Sequence, residues 1–372
     1  MKKTILLLLL LVLSLGVLCA CNKDDTLDML DFELTADGEG YEITGVNFEG
    51  MTSLVSLEIP ETYKGKPIVA IGPAAFQGCR KLEAIHIPST VTYIGSSAFI
   101  KTAYYENPEN WENGLLYIGE FLIDTAENLY GTCVIKEGTA CIADYAFFEI
   151  NLVSVELPTS LKIIADDAFY GNTNLVEIYN KSSLSLQAGS RSHGEVAYYA
   201  KNIYTPSSGA SKLLNQDDFL FYEENGEYTL LTYVGKETEL RFPTSVNGNN
   251  FYVISWNAFK NRADLTAVTL TSGVKDIREG AFDGCVGLTS FKLPASMTIF
   301  RRFLNGCTGI ETVVIPTSIK EINDNNVFYH CTSLATVEYE GTKEQWRKIE
   351  KPLSWHDENS HAIICSDGVI EP

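Results

Sequence analysis

The chain has 372 residues and a formal net charge of −20, from 48 acidic residues against 28 lysines and arginines. So acidic a chain will not neutralise phosphates, which excludes nucleic acid as a partner and disfavours anionic membranes and sulfated glycans. Hydrophobic content of 45% and charged content of 20% are ordinary for a folded chain, and the length suits two globular domains or one repeat array.

In chain order, residues 1–20 read as an export signal, with MKK as the charged part and ILLLLLLVLSLGVL as the apolar part. They end in Leu18-Cys19-Ala20-Cys21, which resembles the bacterial lipobox. The resemblance implies lipidation of Cys21, with Cys19 an unusual occupant of its slot. An ordinary cleaved secretory signal is the alternative. Asn22-Lys23-Asp24-Asp25 looks like the short signal that sends lipoproteins of Bacteroidetes-type bacteria to the outer surface. Residues 21–35 are expected as a polar tether. No later stretch is apolar for the roughly 18 residues that a crossing helix needs.

From about residue 36 a repeat dominates. Ala-Phe recurs at Phe76, Phe99, Phe147, Phe169, Phe259 and Phe282, with near-matches in RRFLNGC (301–307) and VFYHC (327–331). Uninterrupted spacing is 21 to 24 residues. Each Phe is followed by an L-x-x-L-x-L segment such as LEAIHI (82–87), LVSVEL (152–157) or LTSFKL (288–293). Alternation at its last two apolar positions turns one strand face inward. A turn such as PSTV, PTSL or PASM follows, where proline ends the strand. A second apolar position comes at Ile94, Ile164, Ile277 and Ile322, and then Ala-Phe returns. One repeat is therefore one coil. No coil buries its apolar row alone, so neighbours must stack. Cys79, Cys285, Cys307 and Cys331 share one slot, which Asn172 and Arg262 take elsewhere. That exchange suits small buried packing positions better than metal ligands. Cys133 takes an inward strand slot, and Cys141, just before an inward Ile, is expected to face outward. No cysteine spacing demands a disulfide.

The fold class expected is a leucine-rich-repeat solenoid, α/β by class, made mostly of short parallel β-strands with turns in a right-handed coil. It carries β-hairpin inserts and capped ends. Residues 36–100 form the N-terminal cap and first repeats, 101–131 a hairpin insert, and 132–180 further repeats. A second hairpin insert spans 181–239, repeats run over 240–336, and a capping module closes the chain over 337–372. The inserts read as hairpins hung on one continuous array, because apolar runs flank Gly and Asn in WENGLLYIGEFLI and FLFYEENGEYTLL. Caps are needed because an open solenoid end exposes apolar surface and unpaired backbone.

The pattern I-P-x-x-V-x-x-I-x-x-x-A-F-x-x-C-x-x-L, with EGTKEQWRKIEK (340–351) and AIICSDGVIEP near the end, resembles the BspA-like leucine-rich repeats of bacterial cell-surface proteins. The resemblance covers roughly residues 40–372. It implies a surface lipoprotein or wall-attached protein, with adhesion to matrix proteins or other cells as the associated role. Two departures concern local packing: FFEI (147–150) lacks Gly-Cys, and 300–304 lacks the Ala-Phe pair.

No catalytic motif stands out. Ser190-Arg191-Ser192-His193-Gly194-Glu195 brings hydroxyl, imidazole and carboxylate together, but residues this adjacent rarely form a triad, which assembles from distant segments. Trp355-His356-Asp357-Glu358 with His361 reads as capping structure rather than a metal site. No enzyme, cofactor or metal is expected.

The outward strand row reads Glu58, His86, Val134, Glu156, Tyr179, Arg241, Thr269, Lys292, Val314, Glu338. The parallel row holds mostly small residues, with Ser154 and Glu177 among them. Neither has the run of aromatics that protein-binding hot spots favour. Aromatics gather in the inserts instead. Tyr104, Tyr105, Trp111, Tyr198, Tyr199 and Tyr222 are therefore the candidate binding residues, with packing of the hairpins as the competing role. The expected partner is an extracellular protein or glycan, with membrane contact only through the N-terminal lipid. The expected place is a bacterial outer membrane or cell surface. The alternative is a non-catalytic structural or assembly lipoprotein of the envelope, facing the periplasm.

Overall fold

A computed structural model describes residues 26–208, 211–355 and 361–371. These residues form two compact units, one of the described residues up to 112 with 117–119 and the other of 113–116 with those from 120 onward. Cys21 lies outside the described residues. Among the described residues no helix is long and apolar enough to cross a membrane.

The coil expected from the repeat is present and has two ladders rather than one. The L-x-L segment forms a face strand, such as Ser290–Lys292, and the isoleucine after the proline turn forms a shorter edge strand, such as Ile299–Phe300. Face strands pair in parallel with like residues opposite, as Ser290, Phe291 and Lys292 do with Thr312, Val313 and Val314. Edge strands do the same, Ile299–Phe300 against Glu321–Ile322. The proline turn closes on its own carbonyl: Val91, Leu161, Met297 and Ile319 each donate to the carbonyl of the proline three residues earlier. The strand must end there because proline has no N–H for the ladder.

The Ala-Phe turn is the third link between coils. The Phe amide donates to the carbonyl in the Ala slot of the next coil, Phe76 to Ala98, Phe147 to Ala168 and Phe259 to Ala281. The residues two before and two after the Phe are left-handed. Tyr145 and Glu149 have φ of 58° and 51°, Asp167 and Gly171 54° and 82°. The Phe rings stack inside, with centroids 5.4 Å apart for Phe76–Phe99, 4.5 Å for Phe147–Phe169 and 5.0 Å for Phe259–Phe282. The two departures in the repeat are absorbed locally. Phe282 donates to the Phe303 carbonyl and Gly284 to that of Asn305, so Phe303 and Leu304 stand in the Ala and Phe slots, both fully buried. Glu149 takes the left-handed place that glycine holds elsewhere.

The shared cysteine slot has a chemical reason. Cys285, Cys307 and Cys331 are buried, and each thiol donates to the carbonyl of the Phe-slot residue one coil back, at 3.1 Å to Phe259, Phe282 and Leu304. Asn172 does the same with its amide, to the Phe147 carbonyl at 2.6 Å. Arg262 donates to the Tyr233 carbonyl at 3.1 Å. The slot holds a donor that gives this carbonyl a second hydrogen bond, beside the backbone amide it already accepts, as Phe259 does from Arg262 and Phe282 from Cys285. Cys141, expected to face outward, is 2% exposed, in a short edge strand paired to Phe121–Leu122 on one side and Ile163–Ile164 on the other. Burial pushes the Cys133, Cys141 and Cys307 thiols up to about 12 and that of Cys285 well above its ordinary value. In the folded protein Cys141, Cys285 and Cys307 are therefore expected to resist iodoacetamide at pH 8 and to react after urea unfolding. Counting alkylated cysteines by mass in the two states checks this, and rapid modification of the native chain would contradict it.

Asp283 sits one residue past its Phe, partly buried, and accepts from the Asn305 amide at 2.9 Å. Burial raises its pKa to about 6, against the lowering effects of that bond and of the Lys260 and Arg302 charges. The folded state therefore holds this proton more tightly than the unfolded chain. Its contribution favours folding below about pH 4 and is lost as pH rises to about 6, by about 2 to 3 kcal/mol. Asp283→Asn is expected to flatten that part of the stability–pH curve in urea titrations.

Two expected spans differ in detail. Residues 30–34, within the tether of 21–35, form a strand antiparallel to Tyr41–Val46. Leu30 is buried there, and Phe32 stacks on Tyr63 at 3.9 Å. The span 181–239 is not all hairpin. Phe169 donates to the Gly194 carbonyl, and Asn202–Tyr204 extends the face ladder of residues 130–134, 151–157 and 177–180, so one more repeat coil runs to Tyr204. The antiparallel strands are Leu213–Gln216, Phe219–Glu224 and Glu227–Tyr233. They are not hung on the array: Glu227–Tyr233 pairs in parallel with Tyr252–Ile254, which pairs with Val274–Ile277, and so heads a new edge ladder. In the first unit Tyr41–Val46 heads the edge ladder of 66–71 and 93–94 in the same way. The sheet of 213–233 also packs Leu220, Tyr222 and Leu231 against Val153 and Val176.

Candidate functional site

The face-strand rows have the register expected of them, with Val134, Glu156 and Tyr179 directly in line. They are not open throughout. Ser154 is 6% exposed and Glu177 fully buried, and Ser211 and Lys212 close over the Glu177 carboxylate. The Glu177 carboxylate accepts from the Tyr204 hydroxyl at 3.1 Å and the Lys212 amide at 2.7 Å on one oxygen. Its other oxygen accepts from the Tyr179 and Ser211 hydroxyls at 3.0 and 2.8 Å. This buried carboxylate with four donors was not legible in the sequence, where Glu177 stands in an outward position.

The candidate binding residues are not brought together. Tyr104 donates to the Tyr117 carbonyl at 2.7 Å, Trp111 donates its indole N–H to the Tyr105 carbonyl at 2.8 Å, and the Tyr105 and Trp111 rings meet edge to face. Their polar tips are used within the first unit. Tyr222 is buried and its hydroxyl accepts from Asn202 at 2.8 Å.

Tyr198 and Tyr199 belong to a different assembly. Phe148 and Tyr170 both follow the repeat Phe by one residue, point outward, and stack at 5.8 Å with nearly parallel planes. Tyr145 leans on Phe148 at 5.3 Å and donates to Asp167 at 3.1 Å, which raises its own pKa. Tyr199 is held above its ordinary pKa by burial and then by the Tyr198, Glu195 and Tyr170 groups. Tyr198 meets Tyr199 at 4.8 Å, and the Arg191 guanidinium lies 4.6 Å over the Tyr198 ring. Three consecutive turns thus carry a strip of five rings in two contacting groups, Tyr145–Phe148–Tyr170 and Tyr198–Tyr199. Tyr145, Phe148, Tyr170 and Tyr199 are each 37 to 43% exposed. Contiguous exposed aromatics mark interaction surfaces, and Tyr and Arg lead among hot-spot residues. Tyr145, Phe148 and Tyr170 were missed because their signal is a second aromatic beside the Ala-Phe pair, in YAFF and AFY, and the repeat Phe masks it.

The hexapeptide 190–195 is explained by the same turn. His193 has φ of 53°, as Asp167 has 54°, so His193-Gly194-Glu195 fills the slots of Asp167-Ala168-Phe169. Gly194 is required there, since a Cβ would lie 2.4 Å from the Ala165 carbonyl. Ser192 and His193 are hydrogen-bonded at 3.2 Å on the surface, whereas Glu195 is buried and ion-paired to Arg191 at 3.6 Å. The geometry is that of a repeat turn, with the imidazole bonded to Ser192 and the carboxylate paired to Arg191. Residues 356–360 lie outside the described residues. Trp355 packs on Phe328 and Trp346, as part of the closing core. Among the described residues no cluster of His, Cys, Asp and Glu has the arrangement of a metal site.

Short parallel strands in two ladders, with leucines and phenylalanines filling the coil, define a leucine-rich-repeat solenoid. The chain belongs to the BspA-type leucine-rich-repeat family, whose model matches in six copies over residues 41–176, 107–203 and 239–350. Among solved structures it is similar to a leucine-rich cell surface protein of Faecalibacterium prausnitzii, at 19% identity and TM-score 0.38, covering 87% of this chain and 96% of that one. A leucine-rich-repeat protein of Bacteroides ovatus matches at 21% identity and TM-score 0.26, covering 90% and 98%. The pneumococcal vaccine antigen PcpA matches at 16% identity and TM-score 0.41, covering 91% and 98%. No curated protein matches.

Proposed function

We propose that this is a lipid-anchored, non-catalytic binding protein of a bacterial surface, whose repeat turns recognise an extracellular protein in adhesion or cell recognition. The observation that carries the reading is the strip from Tyr145 to Tyr198. It sets five rings and a guanidinium on a scaffold fixed by hydrogen bonds from coil to coil. Rigid tyrosines give large amphipathic contact area at little entropic cost. The surface location draws support from the export signal and from the F. prausnitzii protein, which is described as a cell surface protein.

Two measurements test the reading. Protease added to intact cells should clip the mature protein while a periplasmic marker survives. Protection until the outer membrane is broken would point instead to an envelope scaffold. On arrays of extracellular proteins and glycans, the Phe148→Ser/Tyr170→Ser variant should lose binding at least tenfold while keeping its circular dichroism. Retained binding would sink the strip as the site, and signal confined to glycans would change the partner class.

A further inference from the structure

The short helix Phe48–Ser53 presents apolar side chains to solvent at the N-terminal cap. Phe48 is 82% exposed and Met51, three residues on and on the same face, 44%; Val55, just beyond the helix, is 47% exposed. The other side of the helix is firmly held. Asn47 caps it by accepting from the Gly50 amide at 2.9 Å, and its own amide donates to the Asp28 carbonyl at 3.0 Å. Gly50 is buried so closely that a Cβ would lie 3.1 Å from the Met29 Cβ. The exposed pair is therefore displayed by a built structure. Neither ring nor thioether covers the core.

What precedes the helix in the chain says what can cover it. Asp28 and Met29, which grip the helix, stand seven and eight positions after Cys21. The five steps from Cys21 to Thr26 span at most about 18 Å when fully extended. A lipid on Cys21 would bring Phe48 and Met51 to the bilayer surface. We propose that the N-terminal cap seats on the bilayer through Phe48, Met51 and Val55, so that membrane contact extends beyond the lipid. The inference rests on the lipid-anchor reading. It meets a physical need, since a single acyl chain gives only marginal, reversible binding and stable anchoring takes a second contribution. Glu49 lies in the helix itself and Asp28 at its cap, and their negative charge favours zwitterionic over anionic headgroups.

The test uses the mature chain from Cys21 with one myristoyl chain coupled chemically to that thiol, the described cysteines being buried. With phosphatidylcholine vesicles, Phe48→Ser/Met51→Ser is expected to weaken partition at least tenfold, with its circular dichroism unchanged. In Phe48→Trp, the added emission should shift to the blue and be quenched by brominated lipids. Partition within twofold of the parent, or unquenched emission from co-sedimenting protein, overturns the proposal. A blue shift that grows with protein concentration without vesicles would assign the patch to a second copy, and overturns it too. Because the lipid is coupled by hand, the outcome does not depend on whether cells acylate Cys21. The mass of the N-terminal peptide from cells answers that separately.

Discussion

Phe282→Ala is expected to lower the free energy of unfolding by about 3 to 5 kcal/mol, the range for emptying a buried aromatic site. The ring is fully buried and stacks on Phe259 at 5.0 Å with 5° between planes. It also meets Phe291 edge to face at 5.2 Å and faces Phe303 at 6.5 Å. Removing it leaves partners from two neighbouring coils and one face strand around a void. They cannot collapse, because each is tied to its own coil by the ladders. Urea titration by circular dichroism measures the loss. Phe148→Ala serves as control, since that ring is half-exposed and its removal should cost under about 1 kcal/mol. A loss of similar size in both variants would mean that the stacked interior is not the main source of stability.

Glu177 gives the second large effect, and its two variants should separate. Glu177→Ala leaves the Lys212 amide and three hydroxyls facing an apolar gap. The expected cost is about 3 to 5 kcal/mol, from several charge-assisted hydrogen bonds and the desolvation of the stranded donors. Glu177→Gln should cost only about 1 to 2 kcal/mol. Its oxygen still serves Lys212 and Tyr204, while its amide faces the Tyr179 and Ser211 hydroxyls, which rotate to accept. Limited proteolysis within 205–212 should quicken in the Ala variant. Equal stability of Ala and Gln variants would show that the carboxylate does not hold this segment down.

The repeat was readable because it states one physical rule many times over. Apolar residues at Leu152, Val155, Leu157 and Phe147 must be buried, and only stacked coils bury them all. Phe303 and Leu304 broke the letter of the pattern without breaking the rule, since two apolar residues still reach inward. The coil ending at Tyr204 was hidden because Gly194 and Glu195 replace Ala and Phe; the coil-to-coil hydrogen bond from Phe169 and the face pairing of Asn202–Tyr204 reveal it. The cysteine slot was legible as a packing position. Its thiol-to-carbonyl bond was not, since a sequence does not say which carbonyl of the coil before a buried thiol will meet. The aromatic strip required knowing that residues 22 positions apart are stacked neighbours on the outside of the turn as well as inside.

The left-handed places in the turns carry a last implication. Tyr145, Asp167, His193 and Asn257 share one backbone state with φ between 53° and 58°, although their side chains have nothing in common. The bend is therefore dictated by bonds between coils and not by the residue that occupies it. Such a scaffold behaves like a rack with interchangeable pegs. Chemistry on the turn edge can be rewritten residue by residue while the pegs stay where they were, so relatives of this chain can acquire unrelated partners without altering the shape that presents them.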